Sequence, residues 1–106
     1  MKFCHLHVHS HYSLLDGLTQ IKDLVNFCQE DNATAIALTD HGSMYGTIEF
    51  YKAMKRAGLK PIIGVEVYLA PGSRTDKSAV KGERNYTHLL LLAKNNTGYQ
   101  NLLKLT

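Results

Sequence analysis

The sequence has little of several features that mark particular classes of protein. Its 106 residues include two cysteines, two prolines and no tryptophan. Because Cys4 and Cys28 follow no Cys-x-x-Cys spacing, we expect no disulfide framework and two reduced thiols, as in a cytoplasmic protein. No apolar run approaches the roughly 18 residues of a membrane-spanning helix, and the N-terminus lacks the apolar stretch of a signal peptide. We therefore expect a cytoplasmic protein without membrane contact.

Charge and composition narrow the class further. The 12 Lys and Arg residues exceed the 9 Asp and Glu residues, giving a formal net charge of +3, which is too mild to indicate nucleic-acid binding by itself. With 44% hydrophobic and 20% charged residues, the chain has the composition of one small globular domain or of a piece of a larger one. Histidine is the unusual residue, because four of the six occupy alternate positions from His5 to His11.

Apolar residues recur at spacings that predict seven secondary-structure elements. The predicted strands cover residues 3–8, 33–39, 61–69 and 89–93, and the predicted helices cover residues 21–28, 48–57 and 98–105. Residues 71–85 are polar and predict a long loop. The alternation of strands and helices predicts an α/β fold with parallel strands joined by helical crossovers. In such folds the chemistry lies where strands end, so polar residues at those positions are candidate site residues.

The first predicted strand carries His7-x-His9. Residues i and i+2 of a strand share a face about 6.5–7 Å apart, so both imidazoles can bind one metal ion placed between them. His5 falls on the same predicted face, in a supporting position behind the ligands. A single histidine is more often an ordinary surface or core residue, but three alternating ones in an apolar core would leave ring nitrogens unsatisfied.

Glu66 lies within the apolar run Ile62-Ile63-Gly64-Val65-Glu66-Val67. An unpaired carboxylate buried there would cost several kcal/mol or take up a proton, whereas a nearby cation would remove the penalty. The alternative is that this strand is half exposed and Glu66 faces water. Gly64 precedes Glu66 on the same face and has no side chain, which leaves space for another group to approach.

Asp40-His41-Gly42 directly follows the second predicted strand, and Asp16-Gly17 follows the first. Here His41 would supply a metal ligand and Asp40 a neighbouring acceptor that fixes its orientation. The alternative is an ordinary turn, for which Asp and Gly are common residues, and for Asp16 taken alone the turn is the better interpretation. Mixed imidazole and carboxylate ligands suit Zn, Mn or Fe better than Ca or Mg, and sites rich in them often hold more than one metal and act on phosphoryl groups.

Three segments, 5–17, 38–42 and 61–68, together resemble the PHP (polymerase and histidinol phosphatase) family. Segments 49–53, 70–74 and 88–95 are similar to the PHP domains of bacterial replicative DNA polymerases rather than to histidinol phosphatases. The resemblance covers nearly the whole chain. It implies that residues 1–106 are the N-terminal, incomplete portion of a PHP-type (β/α)7 barrel, whose closed form needs about 200–250 residues.

The resemblance also implies a metal cluster at the carboxyl ends of the strands. Matched position by position, the ligands are His7, His9, Asp16, His41 and Glu66, with Glu66 bridging metals. His88 matches a further ligand, although the predicted fourth strand puts it at the opposite end of the sheet. The complete domain would hold two or three divalent metal ions, with Zn or Mn favoured over Mg.

The function implied by the resemblance is metal-dependent phosphoester hydrolysis. In the complete domain this would include 3′–5′ exonuclease proofreading within a DNA-directed DNA polymerase, whose partners are DNA and other replicase subunits. A second interpretation is a structural module that binds partner subunits without its own activity, and a third is a phosphatase of the histidinol-phosphate type. No catalytic residue is assigned. The apolar run Leu89 to Leu92 predicts an open sheet edge and self-association of the chain. The alternative is that the predicted helix 98–105 folds back over the open sheet.

Overall fold

A computed structural model describes residues 3–76, 78 and 86–106 of the chain. Three helices and three strands lie within this part, in the order α1 (Ile21–Glu30), β1 (Ala35–Leu38), α2 (Thr47–Arg56), β2 (Lys60–Leu69), β3 (Thr87–Leu92) and α3 (Asn96–Leu105). All six elements overlap the predicted ones. Part of the predicted loop 71–85, namely residues 77 and 79–85, falls outside the described residues. None of the described helices is long and apolar enough to cross a membrane.

The core lies between the first two helices and β1. Helix α1 buries Ile21, Leu24 and Cys28, a spacing that keeps these side chains on one face. The buried side chains of α2 are Thr47, Phe50 and Met54. These two faces pack with Ile36 and Leu38 of β1 into one apolar cluster, and its burial is the main stabilising contribution in this part of the fold.

The three strands form one mixed sheet in the order β1-β2-β3. Strand β1 is parallel to β2, with Ala35 opposite Lys60, as predicted. Strand β3 is antiparallel to β2, with His88 opposite Tyr68, so the prediction of an all-parallel sheet is wrong for this strand. The physical reason lies in the connection, because a parallel return needs a long crossover, usually a helix, and residues 70–76, 78 and 86 contain none.

The N-terminal segment runs beside β1 but is not a regular strand over the described residues 3–10. His5 and Val8 accept backbone hydrogen bonds from Ala37 and Thr39, so a step of three residues in the N-terminal segment matches a step of two residues on the other side. The Thr39 hydroxyl lies 2.9 Å from the Val8 nitrogen and 3.1 Å from the Val8 carbonyl oxygen. The prediction of a regular strand over residues 3–8 is therefore wrong. One extra residue in this segment shifts its register against β1, as in a β-bulge.

Gly64 marks the close approach of β3 to β2. A Cβ atom at this position would lie 2.6 Å from the Leu91 carbonyl oxygen and 2.7 Å from Leu92 Cδ2. The space left by this glycine is thus filled by the neighbouring strand and not by a ligand. The described strands form a mixed sheet within an α/β fold, and the closed (β/α)7 barrel remains a prediction.

Candidate metal centre

The carboxyl ends of β1 and β2 meet the amino end of β3 at one edge of the sheet. His41 follows β1, Glu66 lies in β2 and His88 lies in β3. An isolated parallel bridge pairs His41 with Glu66 and extends the β1–β2 ladder to this edge. The N-terminal segment and the loop after it bring three further side chains to the same place. The structure thus brings together all six predicted ligands: His7, His9, Asp16, His41, Glu66 and His88.

Glu66 is the centre of this cluster. Its side chain is almost fully buried, at 4% exposure, so the alternative that it faces water is excluded. Oε2 lies 2.6 Å from His7 Nε2 and 2.5 Å from His9 Nε2. Oε1 lies 3.0 Å from His88 Nδ1. A carboxylate surrounded by imidazoles in this way is paired, which removes most of the cost of burying it.

Two opposing effects set the pKa of the Glu66 carboxyl. Burial acts to raise the pKa, because it disfavours the charged form. The hydrogen bonds from His7 and His9 and the charges of His41 and His7 act to lower it, and together they outweigh burial. The pKa of Glu66 is therefore lower than its ordinary value, and at neutral pH the site contains a carboxylate.

Asp16 completes the cluster from the loop after the N-terminal segment. Its Oδ2 atom lies 2.6 Å from His41 Nε2 and 3.7 Å from His9 Nδ1. In the neutral His41 ring, this contact holds the proton on Nε2 and leaves a lone pair on Nδ1. That Nδ1 atom is buried, has no hydrogen-bond partner among the described residues and lies 3.8 Å from Glu66 Oε2.

The six side chains form three overlapping groups that could each hold a metal ion. The groups are His7-His9-Glu66, His9-Asp16-His41 and His41-Glu66-His88, and the ligand atoms of each lie within 4.8 Å of one another. Each pair of groups shares one residue. Neutral imidazole and carboxylate are ordinary ligands of zinc and manganese. The lone pair of His41 Nδ1, which has no partner in the described part of the chain, is one that a cation would satisfy. The residues present therefore fit a transition metal.

Asp40 is buried beneath the cluster and holds the loop of residues 10–17 in place. Its carboxylate accepts hydrogen bonds from the Ser10 nitrogen at 2.6 Å, the Ser10 hydroxyl at 2.8 Å and the Ser13 hydroxyl at 2.7 Å. The Ser13 hydroxyl oxygen in turn accepts a bond from the His41 nitrogen. The sequence predicts that Asp40 orients the His41 ring directly. Instead it fixes the backbone from which His9, Asp16 and His41 project.

His5 lies away from the cluster, contrary to the prediction that it shares a face with His7 and His9. Its ring packs edge-on against Phe3 at 4.7 Å and Phe27 at 5.6 Å between centroids. The register shift between the N-terminal segment and β1 explains the difference, because period-two alternation holds only in a regular strand. His5 is therefore part of an aromatic contact with α1.

Two tyrosines next to the cluster are not among the residues predicted from the sequence. Tyr68 contacts His41, and Tyr86 contacts His88. A signal is present, since Tyr68 lies two residues after Glu66 and His88 two residues after Tyr86, a spacing that gives a shared strand face. Ser10 and Ser13 are also absent from the predicted site, because nothing in their spacing indicates a buried carboxylate as partner.

A family model of the PHP domain matches residues 5–106. The chain belongs to the PHP family. It is 55% identical over 106 residues to the DNA polymerase III subunit alpha of Borreliella burgdorferi, covering 99% of this chain and 9% of that protein. The corresponding subunit of Chlamydia pneumoniae is 52% identical over 106 residues, covering 100% of the chain and 8% of that protein. This PHP chain thus spans less than a tenth of the length of these relatives.

Two solved structures share the fold of this PHP chain. An amidohydrolase from Chromobacterium violaceum, with bound sulfate and no metal, matches with a TM-score of 0.65 and 25% identity over 95% of this chain and 32% of its own. A proposed metal-dependent phosphoesterase from Bifidobacterium adolescentis matches with a TM-score of 0.65 and 20% identity over 97% of this chain and 32% of its own. The mixed α/β arrangement is therefore shared with larger proteins.

Proposed function

We propose that this PHP chain is the metal-binding segment of a phosphoesterase that hydrolyses the 3′ end of DNA within a bacterial replicative DNA polymerase. The observation that carries the proposal is the cluster of four imidazoles and two carboxylates, one of which is the buried Glu66 at its centre. Clusters of this kind, in which several metal-ligand side chains surround one buried carboxylate, are typical of the metal sites of enzymes that act on phosphoryl groups.

Identity to polymerase subunits supports DNA as the substrate. Relatives that are 50–55% identical to nearly the whole chain are named DNA polymerase III subunit alpha. Nucleotide addition to a primer belongs, in this proposal, to the much larger remainder of such a protein. Residues 1–106 then form the N-terminal, incomplete portion of its PHP domain and lie in the cytoplasm beside other replicase subunits.

The residues of the cluster divide the work between them. His7, His9, Asp16, His41, Glu66 and His88 would hold two or three divalent ions, with zinc or manganese preferred over magnesium because four of the six ligands are imidazoles. When bound, such ions supply positive charge that offsets negative charge developing on a phosphoryl group. Asp16 orients the His41 ring, and Asp40 fixes the loop that carries Asp16.

A second candidate function is a structural module without its own activity. It is favoured by one observation, which is that Glu66 already has hydrogen-bonded partners in His7 and His9. In this case the cluster joins the N-terminal segment to β2 and β3, and metal adds only stability. A histidinol-phosphate type phosphatase is the remaining alternative, and the identity to polymerase subunits does not favour it.

Metal content tests the site itself. We expect the purified chain, prepared without chelator, to contain stoichiometric zinc or manganese by elemental analysis. His7→Ala should lower the affinity for that metal, whereas His5→Ala is a matched control that should leave it unchanged, because His5 lies on the same segment but outside the cluster. Absence of metal from the wild-type chain, with equal affinities for the two variants, would contradict the assignment.

Exonuclease activity tests the reaction. In the complete polymerase that carries this segment, we expect metal-dependent 3′–5′ hydrolysis of a primer end, lost in Glu66→Gln and retained in Glu30→Gln, an exposed residue of α1. Polymerisation by the same preparations should be unchanged. Full exonuclease activity in Glu66→Gln would instead favour the structural module.

A further inference from the structure

Two exposed tyrosines border the candidate metal centre, one near the end of β2 and one just before β3. Tyr68 near the end of β2 is 52% exposed, and Tyr86 just before β3 is 48% exposed. Their rings meet edge to face, with centroids 4.9 Å apart and an interplanar angle of 76°. Single exposed aromatic residues are common on protein surfaces, but here two are in mutual contact. We call Tyr68 and Tyr86 the tyrosine pair.

The tyrosine pair continues directly from the cluster. The Tyr68 ring is parallel to that of His41 within 7°, at 6.1 Å between centroids. The Tyr86 ring is inclined by 24° to that of His88, at 5.7 Å. His41 and His88 themselves lie 4.9 Å apart. Four rings therefore form a continuous aromatic wall that begins at the candidate ligands and ends in solvent.

The backbone beneath Tyr68 is shaped to hold its ring in this position. Gly42 has a φ of +58°, a left-handed conformation that side chains disfavour. A Cβ atom at Gly42 would lie 2.9 Å from Tyr68 Cε2. The glycine thus lets the ring approach the turn that carries His41. The Tyr68 ring is fixed by its neighbours on one side while half of the side chain remains exposed.

We propose that the tyrosine pair is a stacking platform for the terminal base of single-stranded DNA whose adjacent phosphodiester lies at the metal centre. This inference rests on the proposed function for the phosphate side of the site. The ring centroids of Tyr68 and Tyr86 lie 6.1 Å from that of His41 and 5.7 Å from that of His88, so the tyrosine pair directly adjoins the place where the phosphate would lie. Stacking on aromatic rings accepts every base, because every base has a π face. A hydrolase of DNA ends needs that tolerance, which hydrogen-bond readout of base edges would not give.

The test measures stacking without turnover. A thymine-rich single strand carries the fluorescent base 2-aminopurine at its 3′ end, next to a phosphorothioate linkage that slows hydrolysis, and is titrated with the chain and Zn²⁺. The chain contains no tryptophan, and its six tyrosines absorb at shorter wavelengths than 2-aminopurine, so excitation in the long-wavelength band of the probe reports the base alone. We expect saturable quenching that is strongest when the probe base is at the 3′ end and weaker when it is placed mid-strand.

Substitutions identify the stacking rings. Tyr68→Leu and Tyr86→Leu should each weaken the apparent affinity by about 5- to 150-fold, the range expected for loss of one base–aromatic stack. Tyr68→Phe and Tyr86→Phe keep the ring and should bind within about 2-fold of wild type, since the π face and not the hydroxyl carries the contact. Tyr51→Leu is the matched control, because Tyr51 is similarly exposed, at 47%, but belongs to α2.

Each outcome has a defined meaning. No quenching by the wild-type chain, or equal affinity in the Leu variants, overturns the platform. A change in sedimentation of Tyr68→Leu without a change in DNA affinity also overturns it, because the pair would then belong to a protein interface. Exonuclease activity in the polymerase together with absent quenching rejects only the platform. Quenching without any hydrolysis in the polymerase rejects the proposed function and leaves the tyrosine pair as a DNA-binding site.

Discussion

Burial separates the two cysteines in chemical behaviour. Cys28 is fully buried in the core cluster, and its pKa is raised by burial first and by the nearby Cys4 and Asp31 charges next. The Cys4 thiol is partly exposed and donates to the Ala35 carbonyl oxygen at 3.5 Å. A thiol reacts as its thiolate, so both the burial of Cys28 and its raised pKa protect it from modification.

We therefore expect a thiol reagent to modify Cys4 and to spare Cys28 in the native chain. Mass spectrometry after brief alkylation should find one modified cysteine at neutral pH and two after unfolding in urea. The raised pKa also predicts the direction of a pH effect. The stability that Cys28 contributes is present below the ordinary thiol pKa and is lost as the pH rises through the raised value. Equal modification of both cysteines in the folded chain would show that α1 does not pack as described.

Gly42 is a residue next to the metal centre at which a single added methyl group should destabilise the turn that carries His41. Gly42→Ala imposes a left-handed φ on an alanine and a contact with the Tyr68 ring. We expect a loss of about 1–3 kcal/mol in the free energy of unfolding, measured as a lower urea midpoint. Gly72→Ala is the control, because no atom of the described residues lies within 4 Å of the place that its methyl group would take and its φ is not left-handed. Equal midpoints for the two variants would contradict this description of the turn.

The residues of the cluster and its support differ in how well they can be predicted from the sequence. The spacing His7-x-His9 and the isolated acid in an apolar strand point to Glu66 and its partners by residue type and position alone. His41 follows from its position at a predicted strand end, whereas Asp16 is assigned only through the resemblance to the PHP family. The roles of Ser10 and Ser13 cannot be predicted from spacing or residue type, because they depend on hydrogen bonds to Asp40 about thirty positions away.

At the level of elements, the direction of β3 decides which side chains reach the cluster. Because β3 runs antiparallel to β2, its amino end lies beside the carboxyl end of β2 and carries His88 to Glu66. A parallel β3 would have placed His88 at the far end of the sheet. The sequence contains the relevant clue, since the segment between the two strands is polar and lacks helical periodicity, whereas a parallel crossover usually contains a helix.

The pairing of β2 with β3 depends on Gly64. In Gly64→Ala the new methyl group would meet the Leu91 carbonyl oxygen, Leu92 and Thr39 at 2.6–2.9 Å. Because backbone cannot move aside as a flexible side chain can, we expect a loss of about 1–3 kcal/mol in unfolding free energy. His88 should also move away from Glu66, so metal affinity should fall in the same variant.

A second glycine provides the control for that experiment. Gly98 lies in α3, and its added methyl group would find only ordinary contacts, the nearest at 3.4 Å from Ala93. Gly98→Ala should therefore stabilise the chain by about 0.5–1 kcal/mol, because glycine loses more backbone entropy than alanine in a helix. Urea denaturation of both variants measures the contrast, and a stable Gly64→Ala would argue against the close strand pairing.

At the scale of the whole molecule, the elongated shape and the exposed leucines both indicate that the apolar side chains are incompletely buried. The radius of gyration is 15.3 Å and the principal extents are 46 × 29 × 26 Å, whereas a compact domain of about 100 residues has a radius near 13 Å. Leu14, Leu15 and Leu18 are about nine-tenths exposed or more. Strand β3 lies at the end of the strand order and exposes part of Leu89 and Leu92. An apolar strand edge of this kind recruits other strands.

We accordingly expect the chain to self-associate. Light scattering should find a mass above that of the monomer, and the melting temperature should rise with concentration, because association stabilises the folded form by mass action. Leu89→Lys places a charge on the exposed edge and should return the chain to a monomer with a concentration-independent melt. A monodisperse wild-type monomer would mean that the edge is protected in some other way.

The hydrogen bonds that the Asp40 carboxylate accepts from Ser10 and Ser13 should slow hydrogen exchange in the loop of residues 10–17. Loops without helix or strand usually exchange their amide hydrogens with solvent deuterium quickly, because such segments open at little cost. Here the Ser10 amide hydrogen is bonded to a buried carboxylate, the His41 amide to the Ser13 hydroxyl and the Gly17 amide to the Ser13 carbonyl. These three amides should therefore label as slowly as those of β1, and the loop should open together with the core and not before it.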